Sequence, residues 1–231
     1  MGARLPDPRD PVAQAFAGSN PAPRIATRPL SHAALVRALE RVPPFARGRA
    51  ALEQIASPAE AAAEMLESAL AAGDLAGETV VDLGAGTGRL AIGAALLGAA
   101  AVTAVEIDAS AIRVGRSAAD AAHVAIEWVE GDVAEYTGRA HTVVMNPPFG
   151  AQRRGADRPF WTTALRSAEA AVYAFALADS RTFIAERAVE RPAYIDATRP
   201  VAWELGRLFP HHRKDRVPIA VDLWVIRKGE E

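Results

Sequence analysis

An apolar run ending in three alternating glycines, Val80-Val81-Asp82-Leu83-Gly84-Ala85-Gly86-Thr87-Gly88, constrains this chain more than any other feature. Residues 79–83 have the β-branched, apolar character of a buried strand. The glycines let the following turn adopt backbone angles that a side chain would forbid, and let the main chain approach a ligand closely. Strand, glycine turn and helix in that order make the first βα unit of an open α/β sheet, where ligands bind beyond the carboxyl ends of the strands. The alternation continues. Strands are expected over residues 101–106, 125–129, 141–145 and 171–176, and two more over 194–205 and 217–226. Helices are expected from the turn to about Leu97 and over 110–121, 160–170 and 179–189. Two more precede the first strand, over 31–41 and from Ser57-Pro58 to about Ala72; serine can cap a helix and proline is tolerated in its first turn. The fold class is therefore α/β, a seven-stranded, mostly parallel, doubly wound sheet.

Composition removes several alternatives. The chain of 231 residues holds no cysteine, so disulfides, thiolate zinc sites and cysteine nucleophiles are out. Methylation of pyrimidine C5 by the usual thiolate attack is out with them. His211-His212 invites a metal reading, but adjacent histidines point apart in extended chain and lack carboxylates nearby, so no metal is expected. The uncharged run from Leu90 to Val105 is too short to span a bilayer and reads as a buried helix entering a buried strand. No membrane association is expected, and cytoplasmic residence fits. Residues 1–30 hold six prolines and little periodicity, which reads as a flexible extension ahead of a single domain over 31–231.

The spacing of the turn selects its ligand. A dinucleotide fingerprint needs G-x-G-x-x-G, whereas Gly84, Gly86 and Gly88 make G-x-G-x-G and Arg89 takes the sixth position. No pyrophosphate is implied. Glu106, twenty residues after Gly86, ends the second strand, with Asp108 two positions on. A carboxylate there can accept from a ribose diol. Asp132 follows the third strand, where it could accept from an adenine amino group. Each acid alone could be only a helix cap or a solvated loop. In this order they suggest a nucleoside without phosphate.

Asn146-Pro147-Pro148-Phe149-Gly150 directly follows the fourth strand. Two prolines stiffen the turn and leave its carbonyls free to accept. The exocyclic amine of a nucleobase is a poor nucleophile because its lone pair is delocalised into the ring. Two acceptors on its N–H bonds would tilt that lone pair toward an incoming methyl group. The Asn146 side-chain oxygen and the Pro147 carbonyl are suited to this. Phe149 could then stack on an extruded base, a contact of about 1–3 kcal/mol.

Taken together, the glycine turn, Glu106, Asp132 and the Asn146 turn resemble the class I methyltransferase fold. More closely, from about Ser31 to Lys228, the chain resembles the small-subunit ribosomal RNA adenine-N6 methyltransferases of the methyltransferase-like protein five type. Leu52-Glu53-Gln54-Ile55-Ala56-Ser57-Pro58 is similar to a segment of that family, L-E-Q-Y-x-T-P, that helps an N-terminal helical lid close over the cofactor. Val172-Tyr173 and Val221-Asp222-Leu223 match its later strands. Ile55, Ser57 and Glu106 depart from its usual tyrosine, threonine and aspartate; the first bears on lid packing, while the other two keep the hydrogen-bonding groups.

The resemblance implies S-adenosylmethionine as cofactor, contacted by Gln54, Asp82, Gly84, Glu106 and Asp132; Gly86, Gly88 and Asp108 join them as candidates from the turn and the end of the second strand. It implies adenine contacts from Asn146, Pro147, Pro148 and Phe149. It also implies a small zinc-ribbon activator protein that would add strands to a sheet edge. Arg153, Arg154 and Arg158 after the catalytic turn, and His212, Arg213 and Lys214 before the last strand, are candidate RNA contacts, although such loops can equally be solvated charge. Guanine N2 in RNA, or a glutamine side-chain amide in a release factor, would use the same chemistry, and a non-enzymatic module would retain only cofactor binding.

Overall fold

The computed structural model describes residues 30–45, 55–150, 153–189, 193–206 and 216–229. The elements run α1 (His32–Glu40), α2 (Ala59–Ala71), β1 (Thr79–Leu83), α3 (Arg89–Leu96), β2 (Ala101–Glu106), α4 (Ala109–Ala121), β3 (Glu127–Glu130) and β4 (Ala140–Met145). There follow α5 (Arg158–Ser167), β5 (Ala168–Leu177), α6 (Arg181–Val189), β6 (Ala193–Val201), β7 (Glu204–Gly206), β8 (Arg216–Pro218) and β9 (Val221–Lys228). Seven strands form one sheet in the order β3-β2-β1-β4-β5-β9-β6. The first five are parallel to one another; β9 runs antiparallel to both β5 and β6. The expected α/β sheet is present, with β1 at the point where the strand order reverses. That is where a crevice opens for a ligand.

Strand side chains alternate between two cores, as the pleat requires. Val80, Val144, Tyr173, Phe175, Leu223 and Val225 face the layer formed with α1, α2 and α3, including Leu35, Leu39, Leu66 and Leu90. Val81, Leu83, Val143, Met145, Val172 and Trp224 face the opposite layer, where Trp161 and Leu165 of α5 and Ile184 of α6 pack. The apolar run 90–105 divides into α3 and β2, both buried. α3 lies so close to α2 that a Cβ on Gly93 would come within 2.3 Å of Leu66. Outside the cores, the His32 ring bridges Glu60 and Glu67 at 2.8 Å each and ties α1 to α2. These two carboxylates raise the His32 pKa to about 9.

At the amino-terminal end of the sheet Asp74 collects a satisfied polar cluster. The Tyr173 hydroxyl and Arg227 Nη1 both donate to Asp74 Oδ2 at 2.5 Å, and the Thr142 hydroxyl donates to its carbonyl at 2.6 Å. Burial, followed by its bond to Asp74, pushes the Tyr173 pKa up.

Two boundaries differ from the sequence expectation. The helix expected to reach residue 170 stops at Ser167, because Ala168 pairs with Ala140 and opens β5. Alanine's helix propensity yields there to ladder hydrogen bonds. The long strand expected over 194–205 breaks after Val201. Trp203, 3% exposed, turns into the core against Phe175, and β7 pairs with β8 in a separate two-stranded ladder. The extension expected over 1–30 lies, apart from Leu30, outside the described residues. No described helix is long and apolar enough to cross a membrane.

Candidate active site

The glycine turn is built as its spacing predicts. Gly84, Gly86 and Gly88 have φ of 72°, 58° and 86°, the left-handed region that favours glycine. The amides of Gly84 and Ala85 both donate to the Val105 carbonyl at 2.9 Å, which binds the turn to the end of β2. Aromatic rings crowd it. A Cβ at Gly84 would meet Phe160 at 2.6 Å, and one at Gly86 would meet Phe45 at 2.6 Å. Both rings line the cavity over the turn.

Three of the four expected acids line that cavity. Glu106 Oε2 accepts from the Gly86 amide at 2.7 Å, while Oε1 accepts from the amides of Ile107 and Asp108 at 3.0 and 2.9 Å. Burial raises its pKa, and the three N–H donors oppose the rise. Three of roughly four acceptor positions are thus taken, which fixes the carboxylate and leaves Oε2 room for a ligand hydroxyl. Asp82 is 1% exposed; Oδ2 accepts from the Ala91 amide at 3.0 Å, and Oδ1 has no partner among the described residues. Burial pushes its pKa up to about 7, and the charge of Glu106 adds to the shift. Asp132 accepts from the Ala134 amide at 2.9 Å. Asp108 does not line the cavity. Its Oδ1 accepts from the amide and hydroxyl of Ser110 at 2.9 and 2.6 Å and caps α4.

Asn146 leaves β4 into the same cavity. Its Nδ2 donates to the Ile55 carbonyl at 3.0 Å, and its Oδ1 is buried without a partner among the described residues. Pro148 lines the cavity and Pro147 is buried beside it. Phe149 departs from expectation. Its half-buried ring packs edge-on against Trp203, with centroids 5.7 Å apart, and does not line the cavity. Of the basic candidates Arg153 lines the cavity, Arg154 is exposed, and Arg158 lies over the Phe183 ring at 5.5 Å. Gln54, His212, Arg213 and Lys214 lie outside the described residues.

Sequence reasoning used Arg89 only to exclude a pyrophosphate, and the structure gives it a task. Its guanidinium donates to the Val42 carbonyl at 3.0 Å through Nη2 and to the Ser57 carbonyl through Nη1. Burial lowers its pKa, and its Nε has no partner among the described residues. Six buried side-chain polar atoms among the described residues lack a partner. Those of Asp82, Arg89 and Asn146 belong to residues lining this cavity; those of Trp161, Ser167 and Trp224 lie on other residues. Buried polar groups are normally paired, so three exceptions on residues of one cavity point to a ligand with complementary groups. Three carboxylates suit a ligand bearing hydroxyls, amines and positive charge, and would repel a phosphate. Among the described residues no group of three or more histidines, aspartates and glutamates could hold a metal ion.

A family model for the methyltransferase small domain matches residues 43–172. The chain is similar to the rRNA N(6)-adenosine-methyltransferase Mettl5 of Drosophila melanogaster, 31% identical over 201 residues that cover 84% of this chain and 94% of that one. It is 32% identical over 155 residues to the METTL5 protein of Danio rerio, covering 64% and 75%. A crystal structure of a candidate RNA methyltransferase from Pyrococcus horikoshii superposes with a TM-score of 0.79 at 36% identity, covering 86% and 96%.

Proposed function

Because the chain belongs to the methyltransferase small domain family, on the branch of the rRNA N6-adenosine-methyltransferases, we propose that it methylates N6 of an adenosine in RNA, with S-adenosylmethionine as donor and small-subunit ribosomal RNA as substrate. The observation that carries this reading is the buried Oδ1 of Asn146, without a partner among the described residues and in the same cavity as the glycine turn.

When bound, S-adenosylmethionine supplies a methyl group activated by a sulfonium, so the chain's residues need only hold and polarise the acceptor. Gly84, Gly86 and Gly88 form the floor. Glu106 accepts from a ribose hydroxyl and Asp132 from an adenine amino group. Asp82 Oδ1 offers an acceptor to an ammonium group, and a cation beside it would return its pKa toward the ordinary carboxylate range. Asn146 Oδ1 and the Pro147 carbonyl accept the two N–H bonds of the substrate amine and turn its lone pair outward. Positioning of this kind needs no covalent intermediate. Phe160, already on the cavity wall, and Phe149, now against Trp203, are the rings available to a flipped base, and Phe160 is the better placed.

Arg153 and Arg154 neutralise phosphates near the entrance. The small zinc-ribbon activator belongs to the same reading, seated on a sheet edge by strand addition. One edge is β6, where Tyr194 and Ile195 are 56% and 38% exposed. Residues 31–231 act as one domain.

Purified protein, with and without a zinc-ribbon activator, incubated with ribosomal RNA and labelled S-adenosylmethionine, tests the reading after digestion to nucleosides. Label is expected in N6-methyladenosine and absent with Asn146→Ala. Label confined to N2-methylguanosine, or insensitive to RNase, would overturn it.

A further inference from the structure

Residues 55–58 form a strap whose backbone carbonyls are taken by side chains from two sides of the cavity. Asn146 Nδ2 donates to the Ile55 carbonyl at 3.0 Å, and Arg89 Nη1 donates to the Ser57 carbonyl two residues on. Arg89 is the first residue of α3, immediately after Gly88 of the glycine turn. Its Nη2 reaches the Val42 carbonyl, so one guanidinium joins the chain after α1 to the chain before α2. The planar fork of arginine can serve two carbonyls at fixed spacing, and a lysine ammonium cannot reproduce that.

This arrangement is costly. The guanidinium is held by carbonyls, its pKa is lowered by burial against the pull of the Glu40 charge, and among the described residues its Nε lacks a partner. It is retained where a carboxamide must point one way. The terminal torsion of an asparagine is broad and roughly two-fold, so the sequence of the turn does not fix which atom of Asn146 faces the substrate. Turned over, the group would present N–H to an amine N–H and lose the acceptor. The Ile55 carbonyl is the partner that holds Nδ2 and thereby aims Oδ1. Ile55 itself lies in a stretch without helix or strand, and Arg89 secures that stretch at Ser57.

We propose that Arg89 is a positioning residue for methyl transfer: through the strap it sets the orientation of the Asn146 carboxamide. The proposal rests on Asn146 being the amine acceptor.

The test uses the full chain with ribosomal RNA and S-adenosylmethionine at saturation, plus any activator found necessary, and reads a single-turnover rate. Arg89→Met is expected to lower that rate about tenfold, the scale of a small misplacement at a reacting centre. Saturation keeps any change in cofactor affinity out of the measured rate, and Arg89→Lys should recover part of that rate. The direct readout is the side-chain amide of Asn146 by NMR: its protons exchange slowly in the natural protein and rapidly in Arg89→Met. In Asn146→Asp, which keeps an acceptor but has no N–H to donate, Arg89→Met should add less than about twofold.

A rate fall with unchanged Asn146 signals would overturn the proposal, as would an undiminished effect of Arg89→Met in the Asn146→Asp background. Should Arg89→Met lose its cooperative melt, Arg89→Lys carries the NMR comparison. If Asn146→Ala itself methylates at the natural rate, the reading of Asn146 fails, and the Arg89 experiment is not what sinks it.

Discussion

At the amino-terminal end of the sheet, Asp74 accepts from Tyr173 and Arg227 through its side chain and from Thr142 through its carbonyl. At the carboxyl-terminal end, Asp82, Arg89 and Asn146 each keep a buried atom with no partner among the described residues. Both ends bury charge under the same helical layer, yet only one is internally satisfied. A satisfied cluster secures the fold; an unsatisfied one is completed by whatever enters. The comparison separates stability from function by position, and substitutions at the two ends should separate them in experiment.

The largest effect is expected at the unsatisfied end. Asn146→Ala should reduce the methylation rate by about 10²–10³-fold, the usual result of removing one preorganised polar group at a reacting centre. Its melting temperature should fall only by what the lost Nδ2 bond to the Ile55 carbonyl contributes, about 0.5–1.5 kcal/mol. At the satisfied end Tyr173→Phe should do the reverse. It should cost about 1.5–3 kcal/mol, the range for a hydrogen bond to a charged group, seen as a lower melting temperature with unchanged rate per folded molecule. Equal effects of both substitutions on rate would erase the distinction.

A pH experiment sharpens it. The folded Asp82 carboxyl has a pKa raised to about 7 from its ordinary value of 3.8, so between those values the native protein holds a proton the unfolded chain has released. Stability of the unliganded protein should therefore fall as pH rises through that window and level off above it, and Asp82→Asn should flatten this part of the profile. A cationic ligand prefers the ionised form, so affinity for S-adenosylmethionine should rise with pH, by up to about tenfold per unit below the pKa. The smallest effect concerns His32, raised to about 9 by Glu60 and Glu67 at an exposed site. Its contribution is complete below the ordinary histidine pKa of about 6.5 and is lost as pH rises through about 9, so hydrogen exchange in α1 should quicken there. His32→Ala should abolish that dependence.

Local features of the sequence carried most of the fold. The strand alternation and the three glycines were legible because each reports on its own backbone, and the observed φ values answer to that spacing. Asp108 was harder: a carboxylate after a strand can face a ligand or cap the next helix, and Ser110 two residues on takes it as a cap. Phe149 went to Trp203, and that pairing depends on β6 breaking after Val201, which alternation alone cannot show. Arg89 was visible as a break in a motif, but its partners Val42 and Ser57 lie 47 and 32 residues away. Phe45 and Phe160 escaped notice as walls of the cavity for the same reason. Contacts between distant segments leave no mark in local periodicity.

The most direct test of the acceptor geometry is a crystal structure with S-adenosylhomocysteine and an adenosine-containing RNA. Asn146 Oδ1 is expected about 3 Å from the adenine N6, a normal hydrogen-bond separation, with Nδ2 still on the Ile55 carbonyl. An adenine amine bound away from Asn146, with Oδ1 turned to another protein donor, would contradict the account.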